Sequence, residues 1–465
     1  MPSKTPKNHF PLAYLLVLLA ILAPAIPARA NGDPPTTRQP YDFGPQSRPT
    51  HSLSLTQYGI TWTFDKPARI GRFITGDYWV VGPVTVVSVT PTPTKGRNGS
   101  VVNPKAGVPQ AYDDRIFDYA PNLAAAFPRE LKPNQSLVTT ASVERVGEKT
   151  PDTIPGQYAQ GPLRTAVVLT CLAEPPPSDA FRPPFVGDNK PLFRTSQLRR
   201  QVLPRLRPPY PGGLPSRRIL ERALERIWLD HKNDWPGRYM HPLENMPDYG
   251  REITNIVSET SILLMLDDPL NDNLLLHFVQ LGIDNYATAV SDPHVWPANG
   301  GHASGRKFPI LFAGVLLGDP AMQHVSADFA EDQQTYYGTG YRGQKVLWKI
   351  DPTNDRNHED LPPDQWRGPR FKGDNDGFKS EAYRTLNGPT WVGQALAARL
   401  IGAKSLWNHD AFFDYVDRWV AEAKSGTVNP QTLKPEPYVA ATRFTLAMWQ
   451  TYRPKADQIA AAAPR

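Results

Sequence analysis

Cysteine is almost absent from this chain of 465 residues, because Cys171 is the single one. A disulfide within one chain is therefore impossible, and the fold must be held by its core and its polar contacts. Cys171 lies inside the apolar run AVVLTCLA. This setting predicts a buried strand residue and not a reactive nucleophile.

Long apolar runs and a strong net charge are also lacking. An apolar stretch near the start, Leu15–Leu22, follows Lys4 and Lys7 and precedes small residues near Ala28. This layout is typical of a secretory signal, so we expect residues 1–30 to be removed and the protein to be secreted or periplasmic, with no membrane contact afterwards. The formal net charge is only +6. Without a basic stripe and interleaved aromatics, a nucleic-acid partner is not expected.

Proline is abundant instead, at 51 residues, which is about twice the usual share of ~5%. Prolines recur most densely from Glu174 to Pro215, which indicates a linker or a wrapping arm. Before this segment, short alternating runs around Ile60 and Trp62 predict an antiparallel β-sandwich-like domain. After Ser216 the apolar residues take helical spacing, and several stretches are apolar almost all round, as in an α/α toroid of nested hairpins.

The expected fold class is therefore α+β multidomain, with a β-rich domain before a mainly α domain. The expected order along the chain is a signal peptide (1–30), a disordered N-terminal segment (31–52), a β-rich domain (53–173), a Pro-rich linker (174–215), an α/α toroid catalytic domain (216–455) and a C-terminal tail (456–465). Helices are expected at about 252–267, 271–290, 306–318, 321–331, 390–402, 409–424 and 437–452. The segment Asp332–Pro389 lacks sustained periodicity, which predicts a long functional loop.

Two familiar kinds of site are not supported by their context. The sequence GTGYRG at Gly338–Gly343 matches a dinucleotide-binding fingerprint, but no strand is expected before it and the apolar run KVLWKI, not a capped helix, follows. The histidines show no HExxH or other metal-ligand spacing. We therefore expect neither a cofactor nor a catalytic metal.

Four polar clusters stand next to apolar helices in the second half: 235–245, 248–255, 299–307 and 381–391. In a toroid the connecting ends of the helices converge on one cleft. Aromatic rings in such a cleft would face sugar rings, and arginines would bind acid groups bidentately. The predicted substrate-binding residues are Arg238, Tyr239, Trp235, Arg251, Asn299, Lys307, Arg384 and Trp391.

A cleft of this composition fits β-elimination on an anionic polysaccharide that contains uronic acid. A base removes the proton at C5, alpha to the carboxylate, and the C4 oxygen leaves, so the developing enolate needs donors already in place. Tyrosine is a weak base near its reference pKa of about 10, but a neighbouring cation favours the phenolate. Tyr383 stands beside Arg384, and His302 is its expected partner.

The export signal, the β-rich arm, the helical region and the phrases NGGHASGRKFPILFAG and YRTLNGPTWVGQALAARL resemble the toroidal uronate polysaccharide lyases, in particular the family 38 group that acts on alginate or glucuronan. The resemblance covers mainly residues 216–455. It implies a tyrosine as acid and base, with a histidine and an asparagine or arginine at the carboxylate. By this resemblance Tyr383, His302 and Asn255 or Arg306 would be the catalytic residues.

One departure keeps the choice of tyrosine open. The better-known toroidal alginate lyases carry Asn-Asn-His-Ser-Tyr-Trp where this chain has NGGHAS, so the tyrosine after the histidine is missing. The alternative tyrosines are Tyr239, Tyr249, Tyr337 and Tyr341.

Two other functions remain alternatives. One is a glycoside hydrolase on the same scaffold that uses paired carboxylates as general acid and base, drawn from Glu244, Asp248, Asp374, Asp376 and Glu381. The other is a non-catalytic glycan-binding or surface-assembly protein whose functional module is the β-rich domain.

Overall fold

Eight strands near the start of the chain form a single sheet. The computed structural model describes residues 49–107, 109–210, 212–232, 235–352, 358–367, 376–425 and 441–463, so the predicted signal peptide and residues 31–48 lie outside the described part. The strands are β1 (Thr50–Gln57), β2 (Ile60–Arg72), β3 (Tyr78–Val81), β4 (Val84–Thr90), β5 (Ser100–Val102), β6 (Arg129–Leu131), β7 (Gln135–Ser142) and β8 (Leu163–Leu172). β1 takes in the last three residues of the segment predicted as disordered.

The strand order is β5-β7-β8-β3-β2-β4-β6, with β1 paired to β2. All pairs are antiparallel except β3 with β8, where Tyr78 lies opposite Leu169 in a parallel register. The expected antiparallel sandwich is therefore a single mixed sheet. Alternation in the sequence reports which face a residue takes, and it carries no information on the partner strand or its direction.

Side chains of β8 alternate between two apolar cores. Leu169 and Cys171 pack with Trp62 in one core, whereas Val168 packs with Ile227 in the other. Cys171 is fully buried, which confirms the expected strand position. The second core joins the sheet to the start of the helical part.

The remaining elements are mainly helical. The helices are α1 (Arg217–Leu224), α2 (Gly250–Leu263), α3 (Asp272–Ser291), α4 (Lys307–Leu317), α5 (Pro320–Gln323), α6 (Ala330–Gln334), α7 (Gly377–Leu400), α8 (Lys404–Trp407), α9 (Asp410–Ser425), α10 (Arg443–Tyr452) and α11 (Ala456–Ala462). The sheet followed by these helices confirms the α+β class. Among the described residues, no helix has both the length and the apolar character needed to cross a membrane.

α7 begins thirteen residues before the position that the sequence predicted. The expected loop Asp332–Pro389 therefore ends inside a helix, because Asp376 caps α7 by accepting the Lys379 N–H at 2.8 Å and Pro389 lies in the helix interior. Proline usually breaks a helix, and the charged residues of the first turns are buried as ion pairs. Both features hide the helical period.

A short hairpin occupies another part of that expected loop. β9 (Thr335–Tyr337) pairs with β10 (Val346–Trp348), and the GTGYRG sequence lies between them. A strand does precede the motif, contrary to expectation. The element that follows is a strand and not a helix, so the site lacks the helix N-terminus on which dinucleotide binding depends.

The proline-rich segment after the sheet enters the interior. Phe181 and Arg182 are buried, and the Arg182 guanidinium lies between Asp77, in the turn from β2 to β3, and Asp284 of α3. Its Nε donates to Asp77 at 2.8 Å and its Nη2 to Asp284 at 2.5 Å. The segment thus joins the sheet to the helices within the compact unit Asp42–Arg465.

Candidate functional site

Three of the four predicted polar clusters meet around the loop Asn299–His302. A Cβ on Gly300 would lie 3.0 Å from the ring of Tyr383, and a Cβ on Gly301 would lie 2.7 Å from the hydroxyl of Tyr249. Gly250, at the start of α2, would place a Cβ 2.5 Å from the carbonyl carbon of His302. α2 and α7 therefore bring both tyrosines against the glycine loop.

These contacts explain why glycine stands at positions 300 and 301. Tyr383 and Tyr249 occupy the space beside Gly300 and Gly301, so these two glycines leave no clearance for a sugar chain. Gly300 also has a φ of 64°, in the left-handed region that favours glycine. The loop packs closely on two helices, and a ligand would approach the tyrosine rings and not the loop backbone.

Polar side chains from other elements fix the loop. The Gly300 carbonyl accepts from Gln334 Nε2 at 2.6 Å and from Asn387 Nδ2 at 3.0 Å. The Gly305 N–H donates to Glu331 at 2.6 Å. Sequence reasoning missed these three residues, although Asn387 follows Tyr383 by four positions and so lies on the same face of a helix.

His302 lies within this fixed loop. Only 9% of its surface is exposed, and its Nδ1 is 2.7 Å from the carbonyl of Asn299, which can only accept. Nδ1 therefore carries the proton, and this hydrogen bond sets the orientation of the ring. Asn299 itself is exposed.

Tyr383 and Tyr249 differ in their electrostatic setting. Burial raises the pKa of Tyr383, and the positive charge of Arg238 opposes this rise. Burial also raises the pKa of Tyr249, and a negative charge on Tyr383 would raise it further. At Tyr249 the cations Arg251 and Arg238 also oppose the rise and Glu252 adds to it, whereas at Tyr383 the opposing charge is that of Arg238.

Arg238 packs on aromatic rings instead of pairing with an acid of the described part of the chain. It lies on the short 3-10 turn Trp235–Met240, and its guanidinium is 3.4 Å from the ring centroid of Trp235 and 4.9 Å from that of Tyr239. Its Nη2 donates to the Tyr239 hydroxyl at 3.1 Å. Among the described residues, no carboxylate forms an ion pair with Arg238, and its buried Nε has no hydrogen-bond partner.

Arg306 has the opposite setting, which corrects its predicted role at the substrate carboxylate. Its Nε donates to Asp230 at 2.6 Å and its Nη2 at 3.2 Å, and its Nη1 donates to the carbonyls of His302 and Ser304. Burial alone would raise the pKa of Asp230, but Arg306 and His241 hold it well below its usual range. Arg306 is thus committed to a buried ion pair.

Three more predicted substrate-binding cations are also engaged with acids. Arg384 donates to Glu381 through Nε at 2.7 Å and Nη2 at 2.9 Å, Lys307 pairs with Asp332, and Arg251 pairs with Glu252. Arg384 and Lys307 are buried, and Arg251 is half-buried. The structure therefore assigns Arg384 and Lys307 to the interior and not to a substrate surface.

Two other predicted residues, Trp391 and Asn255, have settings that differ from those of the tyrosines. Trp391 is fully buried, and its Nε1 donates to Ser304 at 3.2 Å, so it is a core residue and not a platform for a sugar. Asn255 is half-buried on α2, one residue after Thr254, which faces Gly305. Successive helix residues point about 100° apart, so Asn255 takes the adjoining face.

The carboxylates considered for a hydrolase have structural partners. Glu244 pairs with Arg164 and Arg226, Asp248 accepts the N–H groups of Tyr158 and Gln160, and Asp376 caps α7. Glu381 pairs with His358 and Arg384, and Asp374 lies outside the described residues. These contacts do not favour a pair of carboxylates that face a common substrate.

Two of the alternative tyrosines, Tyr337 and Tyr341, are less suited to act as a base than Tyr383. The exposed Tyr337 donates to Asp414 at 2.7 Å, and this acceptor raises its pKa to about 12. Burial raises the pKa of Tyr341, which lies in the β9–β10 turn. Neither is near the His302 loop in the contacts that the structure gives for that loop.

Within the described ranges, no group of three or more His, Cys, Asp or Glu side chains is arranged to hold a metal ion. Comparisons with protein-family models, with characterised proteins and with solved structures give no match for this chain. The functional conclusion therefore rests on the geometry of the residues themselves.

Proposed function

We propose that the chain is a secreted polysaccharide lyase that cleaves a uronic-acid-containing polysaccharide by β-elimination. The observation that carries the proposal is the position of Arg238, an arginine without a carboxylate partner among the described residues, whose charge acts on Tyr383 beside the His302 loop. The proposal includes the finer fold expectation, in which the helical part is an α/α toroid and the hairpin of α3 and α4 is one of its units.

In this proposal Arg238 binds the uronate carboxylate. A guanidinium matches a carboxylate with two parallel hydrogen bonds, and its positive charge also stabilises the enolate that develops when C5 loses its proton. His302, in the loop beside Tyr383, contributes to this neutralisation in its doubly protonated form, in which Nδ1 donates to Asn299 and Nε2 donates to the carboxylate. Arg238 thus takes the role that the sequence predicted for Arg306.

Tyr383 acts as both base and acid. Its phenolate removes the C5 proton, the C5–H electron pair forms the C4–C5 double bond, and the C4–O bond breaks. The proton then passes from Tyr383 to the departing C4 oxygen. The atoms and charges balance without any further reactant, and the cation at Arg238 favours the phenolate form that starts the reaction.

The test is a screen of the purified protein against alginate, glucuronan, pectate and glycosaminoglycans, with ultraviolet absorbance of the unsaturated product as the readout. We expect Tyr383→Phe to abolish turnover of the polymer that is cleaved, because the ring remains and only the hydroxyl is removed. Tyr337→Phe is the matched control, since that hydroxyl bonds Asp414 on the surface. Near-normal activity in Tyr383→Phe would contradict the assignment.

A second arm separates Tyr383 from Tyr249. Tyr249→Phe keeps the contact with Gly301 through the ring but removes the more deeply buried hydroxyl. We expect reduced but measurable turnover in this variant. Loss of activity in Tyr249→Phe together with normal activity in Tyr383→Phe would move the acid and base role to Tyr249. Products without the double bond would support a hydrolase instead.

A further inference from the structure

Three aromatic rings form a surface where the sheet part of the chain meets the turn that carries Arg238. The rings of Phe117 and Tyr239 lie 5.6 Å apart at 51°, and those of Trp235 and Tyr239 lie 5.9 Å apart at 80°. Phe117 is 54% exposed and Trp235 is 41% exposed. Phe117 comes from the loop between β5 and β6, so both parts of the chain contribute to this aromatic surface.

The loop that carries Phe117 is tightly held. Gln110 accepts the N–H of Tyr112 at 2.7 Å with its Oε1, and its Nε2 donates to the carbonyls of Asp113 and Ile116 at 2.9 and 3.1 Å. A buried side chain thus bonds the loop from within. An exposed phenylalanine on such a loop does not result from a poorly packed segment.

A second contact fixes the residue after Phe117. Asp118 has a φ of 54°, a left-handed conformation that is uncommon for residues with a side chain, and its carboxylate accepts from Lys232 Nζ at 2.7 Å. Lys232 precedes the turn Trp235–Met240, so the ion pair ties the loop to that turn.

Exposed aromatic rings in a fixed arrangement are typical of binding surfaces, because their burial by a ligand costs little conformational entropy. A pyranose ring has an apolar C–H face that packs on an aromatic ring and hydroxyls that stay in water. Arg238 lies over Trp235 at the edge of the same surface and is the group proposed to bind a uronate carboxylate. The aromatic surface therefore extends the site from Arg238 through Tyr239 to Phe117.

We infer that Phe117, Tyr239 and Trp235 form a sugar-binding platform that holds a further unit of the polysaccharide chain beyond the uronate at Arg238. This inference rests on the proposed function for the anionic character of the chain, but not for the contact with the sugar ring. The new part of the inference is Phe117. Through this residue, the sheet part of the protein would contribute to how many sugar units the site binds. The partner is a glycan with several linked units and not a monosaccharide.

The test uses the full-length protein, with six-unit oligosaccharides of alginate and glucuronan and the corresponding single uronic acids as probes. Binding is measured by titration calorimetry and by tryptophan fluorescence, which does not require turnover. We expect Phe117→Ala to weaken binding of the six-unit probes by about tenfold, in line with the loss of one aromatic contact, and to leave binding of the single uronic acids unchanged. Phe117→Tyr retains the ring and should restore binding.

The control is Leu270→Ala, which removes an exposed apolar side chain of the short 3-10 turn Pro269–Asn271. Unchanged six-unit binding and an unchanged KM in Phe117→Ala, in a protein that cleaves a polyuronate, would overturn the platform and leave the proposed function intact. Phe117-dependent binding of a six-unit glycan without any cleavage would support the platform and contradict the lyase. Equal losses for Phe117→Ala and Leu270→Ala would also overturn it.

Discussion

The turn Trp235–Met240 and the loop Asn299–Lys307 each carry an arginine that the sequence presents as a substrate ligand, yet the two settings are opposite. Arg238 lies half-buried over aromatic rings without an acid partner among the described residues. Arg306 is almost fully buried and holds Asp230 with two hydrogen bonds. A cation is available for a substrate only where the fold has not already supplied its counter-charge.

Whether a cation is paired with an acid should also decide whether its loss affects stability or activity. A buried ion pair that loses one partner leaves an uncompensated charge in the interior, which is costly to the fold. A cation without such a partner leaves nothing uncompensated when it is removed. Arg306 should therefore matter for folding and Arg238 for turnover, and each can be tested against the other.

The largest expected effect is on stability, in Arg306→Ala. This change leaves Asp230 buried beside His241 alone, and we expect the free energy of unfolding to fall by about 3–5 kcal/mol. Urea denaturation followed by circular dichroism measures the change. The double variant Arg306→Met with Asp230→Asn should recover much of it, because neither charge then remains unpaired. A fall of less than about 1 kcal/mol in the single variant would contradict the buried pair.

Next in size is the loss of activity in Arg238→Met. We expect kcat/KM to fall by about 10²–10³, the cost of one preorganised group at a developing negative charge, while the urea midpoint stays near that of the wild type. The pH at which activity reaches half its maximum should move upward, because burial raises the pKa of Tyr383 and Arg238 no longer opposes it. Arg238→Lys keeps the charge and should keep the pH profile. An unchanged kcat/KM in Arg238→Met would remove Arg238 from the site.

Acid stability tests the other buried pair, Arg384 with Glu381. Burial would raise the pKa of Glu381, but Arg384 and His358 lower it to about 2, below its usual value of 4.5. A depressed carboxyl stabilises the fold above its unfolded pKa and loses that contribution as the pH falls from 4.5 to about 2. We expect the free energy of unfolding of the wild type to decline through this window. In Glu381→Gln the slope should be shallower, and an identical slope would contradict the ion pair.

The smallest effect is expected for Arg251→Ala. Arg251 pairs with Glu252 at the half-buried start of α2, and such partly exposed pairs contribute about 1 kcal/mol or less. We expect small changes in both the urea midpoint and KM. A loss of activity as large as that of Arg238→Met would show that Arg251, not Arg238, is the principal carboxylate ligand.

Local patterns in the sequence predicted most elements of the fold. The alternation around Trp62 and in the run AVVLTCLA marked β2 and β8, and the apolar stretches marked α3 and α4. The parallel pairing of β3 with β8 was not predictable, because these strands lie far apart along the chain and no local signal encodes a partner. The first half of α7 was missed because its buried residues are charged.

The sequence predicted which residue types form the candidate site, but not which of its cations are left without an acid partner among the described residues. His302, Tyr383 and Arg238 were identified, and the structure brings them to one region. Arg306 was assigned to the substrate because its ion pair with Asp230 could not be foreseen. Asp230 is 76 residues away along the chain. A salt bridge between distant residues leaves no trace in local spacing, so a free cation and a paired one look alike in a sequence.

The buried Arg182 also limits how this protein can be divided. Its two carboxylate partners belong to different parts, Asp77 to the turn between β2 and β3 of the sheet and Asp284 to α3. A gene fragment that encodes the helices without the preceding chain would produce a polypeptide in which Asp284 has lost its guanidinium. A gene fusion or recombination that keeps the fold must therefore transfer the sheet together with the helices.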